Sequence, residues 1–319
     1  MDAPQAVPDE SEHTLETSEE AQSSVLSNIL RLERLRPLSL FSTGHSGCNV
    51  ILTKTDSGQF FVVKAPTDQH SQQEIIDNIH GYREMVTENV GDMVPQHHIG
   101  HAEDRTYLVM EYLGDDFASA SRSSEQPESL YESLRRQMVG IYRRTTKQDG
   151  KCGPFLERVH ALLQRNLHEV ARAGLVRGER VTSALDIDKK DLATDTSCFG
   201  VFDFTPEDIF LTETGIRYPD PKHSIRGNPI IDLACFAGVA KDILHLPGSS
   251  SGYEKLEEYA VNEVSEILHL TALQARRIFG LGRALQCSLS SRFRLKSDPA
   301  LATTYAERSL DSLGRVSDI

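Results

Sequence analysis

Two runs rich in β-branched and aromatic residues, NVILTK (49–54) and QFFVVKA (59–65), flank the turn residues Asp56-Ser57-Gly58. Strand-forming runs joined by such a turn predict a hairpin. The period then changes. QQEIIDNIHGYREMVTENV sets Ile75, Ile79 and Tyr82 on one side of a helix, and after Pro95 and a polar patch TYLVMEYL returns to a strand. A helix over SSVLSNILRLERL, with Val25, Ile29 and Leu32 at helical spacing, precedes the hairpin. From Gly114 onward helical periodicity dominates. Leu130, Leu134, Met138 and Ile141 stack in one segment, and Leu156, Val159, Leu163, Leu167 and Val170 in the next. YEKLEEYAVNEVSEILHL and TALQARRIFGLGRALQCSL predict two further amphipathic helices. The expected class is α+β: a small sheet with one helix over 25–113, then a larger, mainly helical part over 114–319.

Residues 1–24 are acidic, Ser- and Pro-bearing and without Lys or Arg, and are expected to form a disordered tail. The remaining chain has ample apolar material for a core. A formal net charge of −13 argues against nucleic acid as a partner, because a phosphate backbone calls for a basic face. It suits solubility and a cationic or metal-bound small substrate. No apolar run is long enough to span a bilayer; PIIDLACFAGVA is short and interrupted by Asp232. The five cysteines are scattered with no C-x-x-C pair, and no secretory signal opens the chain. A cytoplasmic location is expected from both.

The chemistry concentrates in VFDFTPEDIFLTETGIRYPDPK (201–222), where Asp203, Asp208 and Asp220 stand among Phe202, Phe204, Ile209, Phe210 and Leu211. Acids at the edge of a core need a partner, a metal or a reaction. Asp203 is placed to accept a hydroxyl proton, and Asp208 and Asp220, joined by two short strands around Thr214-Gly215, to hold Mg²⁺ between carboxylate oxygens. Lys64, closing an apolar strand, either extends its head to solvent or meets an anion such as nucleotide phosphate. Glu84 in the following helix is a candidate partner for it, and Glu74 is a rival. Gly44 and Gly47 in STGHSGCNV are an ordinary hairpin turn or a place where backbone N–H groups approach phosphate; no Gly-Lys-Ser/Thr follows, so this is not a Walker loop. Asp232 enters an apolar helix, as its cap or as a support for the acidic loop.

Taken in order, these segments resemble the aminoglycoside phosphotransferase-like kinase family, over roughly residues 38–319. GHSGCNV is similar to the family's nucleotide-positioning loop, FFVVKAP to its lysine strand, YREMV to its glutamate helix and TYLVMEYL to its hinge strand. VFDFTPEDIFL resembles the H-x-D-x-x-x-x-N catalytic loop, IRYPDPK the second metal-binding segment, and GNPIIDLACF the G-D-P-x-x-D-L-A signature. The resemblance implies a two-lobed protein-kinase-like fold and transfer of the γ-phosphate of ATP or GTP, with Mg²⁺, to a hydroxyl of a small molecule. It implies nucleotide contacts from Gly44, Ser46, Gly47, Val50, Lys64, Glu84, Met110 and Tyr112, Asp203 as catalytic base, Asp208 and Asp220 as metal ligands, and Asp232 as structural support.

Two departures stand out: Val201 where the family has histidine, and Asp208 where it has asparagine. They support a second reading from another class, a catalytically degenerate pseudokinase-like binding or regulatory module. The absence of D-F-G and A-P-E argues against a protein-phosphorylating kinase. DIDKKDLATD lacks the glycine and glutamate of a calcium loop, with Asp191 and Ser197 at those positions. His97, His98 and His101 sit together, but no further ligand accompanies them.

Overall fold

A computed structural model of the chain describes residues 24–41, 47–187, 192, 194–200, 204–221 and 225–318. The acidic tail up to residue 23, Gly44, Ser46, Val201, Asp203, and Asp188 and Asp191 of DIDKKDLATD lie outside the described residues. The chain divides into two compact units, Met1–Asp115 with Thr212–His223, and Asp116–Leu211 with Ser224–Ile319. The segment 212–223, which the sequence reading assigned to the helical part, thus groups with the first unit.

In the first unit, α1 (Ser24–Glu33), β1 (Arg36–Phe41), β2 (Asn49–Lys54), β3 (Phe60–Ala65), α2 (Gln69–Thr87), β4 (His97–Ala102) and β5 (Arg105–Glu111) follow in order. The strands form one sheet in the order β1-β2-β3-β5-β4, with every neighbouring pair antiparallel. The β2–β3 hairpin pairs Asn49 with Ala65 through to Lys54 with Phe60. Its turn closes by Gly58 N–H donating to the Thr55 carbonyl at 3.0 Å, and Gly58 has φ +90°, a conformation that suits glycine.

Strand β4 falls in the patch that looked merely polar. HHIGHA has few strand formers, and its partner β5 imposes the conformation by pairing His97 with Met110 through to Ala102 with Arg105. Helix α1 belongs to this unit as well: Leu26 and Ile29 join Ile51, Val63, Ala65, Tyr107 and Val109 in one buried cluster. Helix α2 starts on a capping box, in which Ser71 N–H donates to Asp68 Oδ1 at 2.8 Å. It buries Ile75, Ile79, Tyr82 and Met85 along one face.

The second unit is mainly helical. Its helices are α3 (Phe117–Ser123), α4 (Pro127–Thr145), α5 (Cys152–Arg172), α6 (Gly178–Ala184), α7 (Pro229–Gly238), α8 (Ser249–Tyr259), α9 (Ser265–Ile267), α10 (Ala272–Arg294) and α11 (Pro299–Asp318). A π-helical turn, Ala260–Val264, makes α8 and α9 continuous. Three short strands, β6 (Lys147–Gln148), β7 (Thr196–Gly200) and β10 (Ile225–Gly227), form a sheet in the order β10-β7-β6. The remaining strands are β8 (Phe210–Thr212) and β9 (Gly215–Arg217), the pair expected around Thr214-Gly215; β9 belongs to the first unit.

Every residue of α7 is buried, so this helix lies at the centre of the unit. Helix α11 buries Tyr305, Leu310, Leu313 and Val316 together with the small residues Ala302, Ala306 and Ser309. Small side chains allow close approach: Ser309 Oγ donates to the Ala284 carbonyl at 2.8 Å, and Ser291 Oγ to that of Ala302 at 2.7 Å. All five cysteines are buried, and no disulfide joins them among the described residues. No helix among the described residues is long and apolar enough to cross a membrane.

Candidate active site

In strand β3 alternate side chains face opposite sides of the sheet. Val63 and Ala65 enter the apolar cluster with α1, so Lys64, out of phase with them, directs its ammonium towards α2. There it makes three contacts: Glu74 Oε1 at 3.1 Å, Asn78 Oδ1 at 2.8 Å and Asp220 Oδ1 at 2.9 Å. An ammonium has three hydrogens to donate, and three acceptors surround this one.

Lys64 is only 6% exposed. Burial works to lower its pKa, but the carboxylates of Asp220 and Glu74 outweigh that effect and hold it above the ordinary lysine value. The cluster contains two carboxylates against one ammonium.

The partner of Lys64 on α2 is therefore Glu74, with Asn78 one turn later on the same face. Glu84, the first candidate, is an exposed position. Ten residues along a helix rotate a side chain by about 1000°, far from the face that carries Glu74. Asn78 is a site residue that sequence reasoning missed. Its signal was present in the i, i+4 spacing from Glu74, but an asparagine in a helix carries no charge to draw attention. Its Nδ2 is buried and has no hydrogen-bond partner among the described residues.

Among the nucleotide-contact candidates in the first unit, Val50 lies opposite Lys64 in the β2–β3 register. Gly47 has φ +70°, and its carbonyl accepts from Thr67 Oγ1 at 2.7 Å, beside the capping box of α2. Met110 is buried in β5, opposite Val62. The Tyr112 ring stands 6.2 Å from that of Phe60. Burial, then the nearby Asp115 carboxylate, push the Tyr112 phenol pKa upward.

In the second unit Asp208 sits in a tight loop. Thr205 Oγ1 donates to Asp208 Oδ2 at 2.6 Å, and Asp208 N–H donates back to the Thr205 carbonyl at 3.1 Å. The start of α3 holds this loop from outside, with Phe117 N–H donating to the Ile209 carbonyl at 2.6 Å and Ala118 N–H to that of Pro206 at 3.1 Å. Asp116 caps α3 by accepting from Ser119 N–H at 2.8 Å. Phe204 and Ile209 are fully buried, and Phe204 meets Phe236 of α7 at 5.4 Å between ring centroids. The acidic loop is thus anchored to the core on both sides of Asp208.

Asp232 lies in the first turn of α7 and is 2% exposed. It does not cap the helix. Asn228 does, accepting from Ile230 N–H at 3.1 Å.

Magnesium takes hard oxygen ligands and commonly binds through one or two carboxylates plus substrate phosphates. Asp220 in the first unit and Asp208 in the second are each a carboxylate of that donor type. Among the described residues no group of three or more His, Cys, Asp or Glu could hold a metal ion by itself. The three histidines of β4 turn to separate partners. His97 Nδ1 lies 2.9 Å from the Pro95 carbonyl, His98 Nε2 2.9 Å from Glu33 Oε2, and His101 Nδ1 3.2 Å from Thr106 Oγ1.

An antiparallel-sheet unit with a buried strand lysine and a mainly helical unit with an anchored acidic loop together define a kinase-like fold, that of the aminoglycoside phosphotransferase-like small-molecule kinases. No protein-family model and no curated protein sequence matches the chain. Solved structures do. The aminoglycoside phosphotransferase APH(2'')-Ib bound to ADP is 12% identical over 92% of this chain and 99% of its own, with a TM-score of 0.58. A choline kinase from Cryptosporidium parvum Iowa II is 10% identical over 90% of each chain, with a TM-score of 0.56. Amicoumacin kinase hAmiN, in complex with AMP-PNP, Ca²⁺ and Ami, is 11% identical over 93% of this chain and 96% of its own, at 0.55.

Proposed function

We propose that the protein is a phosphotransferase that moves the γ-phosphate of ATP or GTP, with Mg²⁺, to a hydroxyl of a small molecule. The observation that carries this reading is the Lys64 cluster, a buried ammonium held by Glu74, Asn78 and Asp220. Lys64 binds phosphate oxygens and spreads their charge. Asp208 and Asp220 are the residues that would hold the metal, which supplies charge neutralisation on the phosphates when bound. Asp203 orients the acceptor hydroxyl and takes its proton. Positioning and electrostatics are nearly all that phosphoryl transfer asks of a protein.

Nucleotide-bound kinases of the same fold support the cofactor assignment. The net charge of −13 supports a small acceptor over nucleic acid. Five buried cysteines with no C-x-x-C pair support a cytoplasmic setting, where ATP is abundant and thiols stay reduced.

Val201 and Asp208 support the second reading, a degenerate nucleotide-binding or regulatory module without transfer. Asp203→Asn separates the two. Nucleotide and Mg²⁺ affinity are measured by calorimetry, and product by mass spectrometry over a panel of hydroxylated acceptors. In a phosphotransferase the variant keeps affinity and loses about 10²–10⁴-fold in transfer. Transfer at the wild-type rate removes Asp203 from the role of base. A wild type that binds nucleotide but yields no product across the panel supports the module instead.

A further inference from the structure

The α2 face that carries Glu74 and Asn78 continues at helical spacing into Gly81 and Tyr82. Both residues touch the segment that bears Asp220, and they touch it on either side of the acid. The Tyr82 hydroxyl donates to the carbonyl of Pro219. Its ring is 2% exposed and lies 4.6 Å from the His97 ring, centroid to centroid. At Gly81 the Pro221 backbone comes so close that a Cβ would overlap its carbonyl oxygen and stand 3.0 Å from the Pro221 Cβ. Just before, Tyr218 N–H donates to the Met93 carbonyl at 2.8 Å, and the Arg217 guanidinium reaches the Asp92 carbonyl. Prolines on both sides of Asp220 have φ already fixed near −65°. Holding both proline carbonyls against one rigid helix leaves the Asp220 backbone little freedom.

We propose that Gly81 and Tyr82 are positioning residues for Asp220, holding Pro219 and Pro221 so that the carboxylate between them reaches Lys64 and is set to receive a divalent cation. The aim at Lys64 stands on the contacts above, and the cation on the phosphotransferase reading. Tyr82→Phe is the sharp test, because it keeps the buried ring and removes only the hydroxyl.

The first readout needs no nucleotide. The acylation rate of Lys64 by an amine-directed acetylating reagent is followed by peptide mass spectrometry, with Asp220→Asn as reference. Loosening Asp220 takes a charge partner from the ammonium, so Tyr82→Phe is expected to speed labelling about three- to tenfold. Tyr82→Phe combined with Asp220→Asn is expected to be no faster than Asp220→Asn alone, since both changes act through one carboxylate. A wild-type rate in Tyr82→Phe, or effects that simply multiply in the double variant, overturns the proposal; a tyrosine that merely supports the core would multiply. Gly81→Ala is expected to label at least as fast as Tyr82→Phe, and if it does not fold, Tyr82→Phe decides.

The second readout is the ratio of ATP affinities with and without Mg²⁺. It is expected to fall in Tyr82→Phe and to fall no further in the double variant. A Mg²⁺-dependent wild type whose ratio is unchanged by Tyr82→Phe overturns the cation part of the proposal. If ATP binding by the wild type is absent or indifferent to Mg²⁺, the phosphotransferase reading and the cation part fail together. The labelling result then still decides whether Gly81 and Tyr82 aim Asp220.

Discussion

Lys64 and Asp220 stand 156 residues apart in the chain and 2.9 Å apart in space, Nζ to Oδ1. The lysine stands one residue before the end of β3 in the first unit's sheet, and the aspartate follows β9, in a segment that belongs to the same unit and divides the chain of the helical unit into two halves. With Glu74 and Asn78 they make an ion cluster that is both a structural element and a candidate site for phosphate and metal.

Lys64→Ala is therefore expected to cost stability as well as nucleotide binding. Its removal takes away the ammonium that Glu74 and Asp220 share. Breaking a buried pair costs about 3–5 kcal/mol, and the 28% side-chain exposure of Asp220 reduces that to about 2–4 kcal/mol here. Urea unfolding measures it. A loss below about 0.5 kcal/mol, the level of an exposed pair, would show that the cluster contributes nothing to the fold.

Asp208 separates metal ligation from loop structure. Asp208→Asn keeps an oxygen ligand and an acceptor for the Thr205 hydroxyl, which now lies 2.6 Å away, so metal-dependent release of nucleoside diphosphate should survive. Asp208→Ala should abolish it. Equal rates for Ala and wild type would make Asp208 a plain loop acid.

Asn228, rather than Asp232, carries the cap of α7, with Oδ1 3.1 Å from the Ile230 amide. Asn228→Ala is expected to lower stability by about 0.5–2 kcal/mol, and Asn228→Ser, a comparable cap that buries no charge, to lose less. Comparable losses in both variants would place the energy in packing instead of the cap.

Stability should fall with rising pH on the alkaline side. Burial pushes the Cys198 thiol up to about 11 and the Cys287 thiol up to about 12, and raises Cys152 as well. An unfolded chain releases these protons near pH 8.5, roughly. Above that the unfolded state binds fewer protons than the folded one, so unfolding becomes easier as pH rises. Lys64 adds the same sign later: its contribution is complete below the unfolded lysine value of about 10.4 and is lost as pH passes its raised folded value. The urea midpoint is expected to hold between about pH 7 and 8 and to decline from about 8.5 upward. A midpoint that rises over that range would contradict the burial of these thiols.

Much of the architecture was legible from residue order because it rests on local chemistry. The β2–β3 hairpin follows from two β-rich runs around a glycine turn, and α2, α4, α5 and α10 follow from apolar residues at helical spacing. Strand β4 was not legible, because HHIGHA takes its conformation from pairing with β5. Helix α11 is a different case: Tyr305, Leu310, Leu313 and Val316 recur in it at helical spacing, and the sequence reading missed them.

The site divides along the same line. Chain order alone singled out Lys64, Asp208 and Asp220, since each is a charged side chain at the edge of an apolar run, where burial demands compensation. Which groups supply that compensation is a property of the fold. Helix phase brought Glu74 and Asn78 to Lys64 and left Glu84 at an exposed position. Asn228 took the cap that Asp232 could have filled. Contact between Gly81 and the backbone after Asp220 placed a glycine in the site for want of room rather than for any chemistry of its own. Sequence determines which residues need a partner, because charge and apolarity belong to the residue. Only tertiary structure decides which partner each one gets, because that depends on distances between segments far apart in the chain.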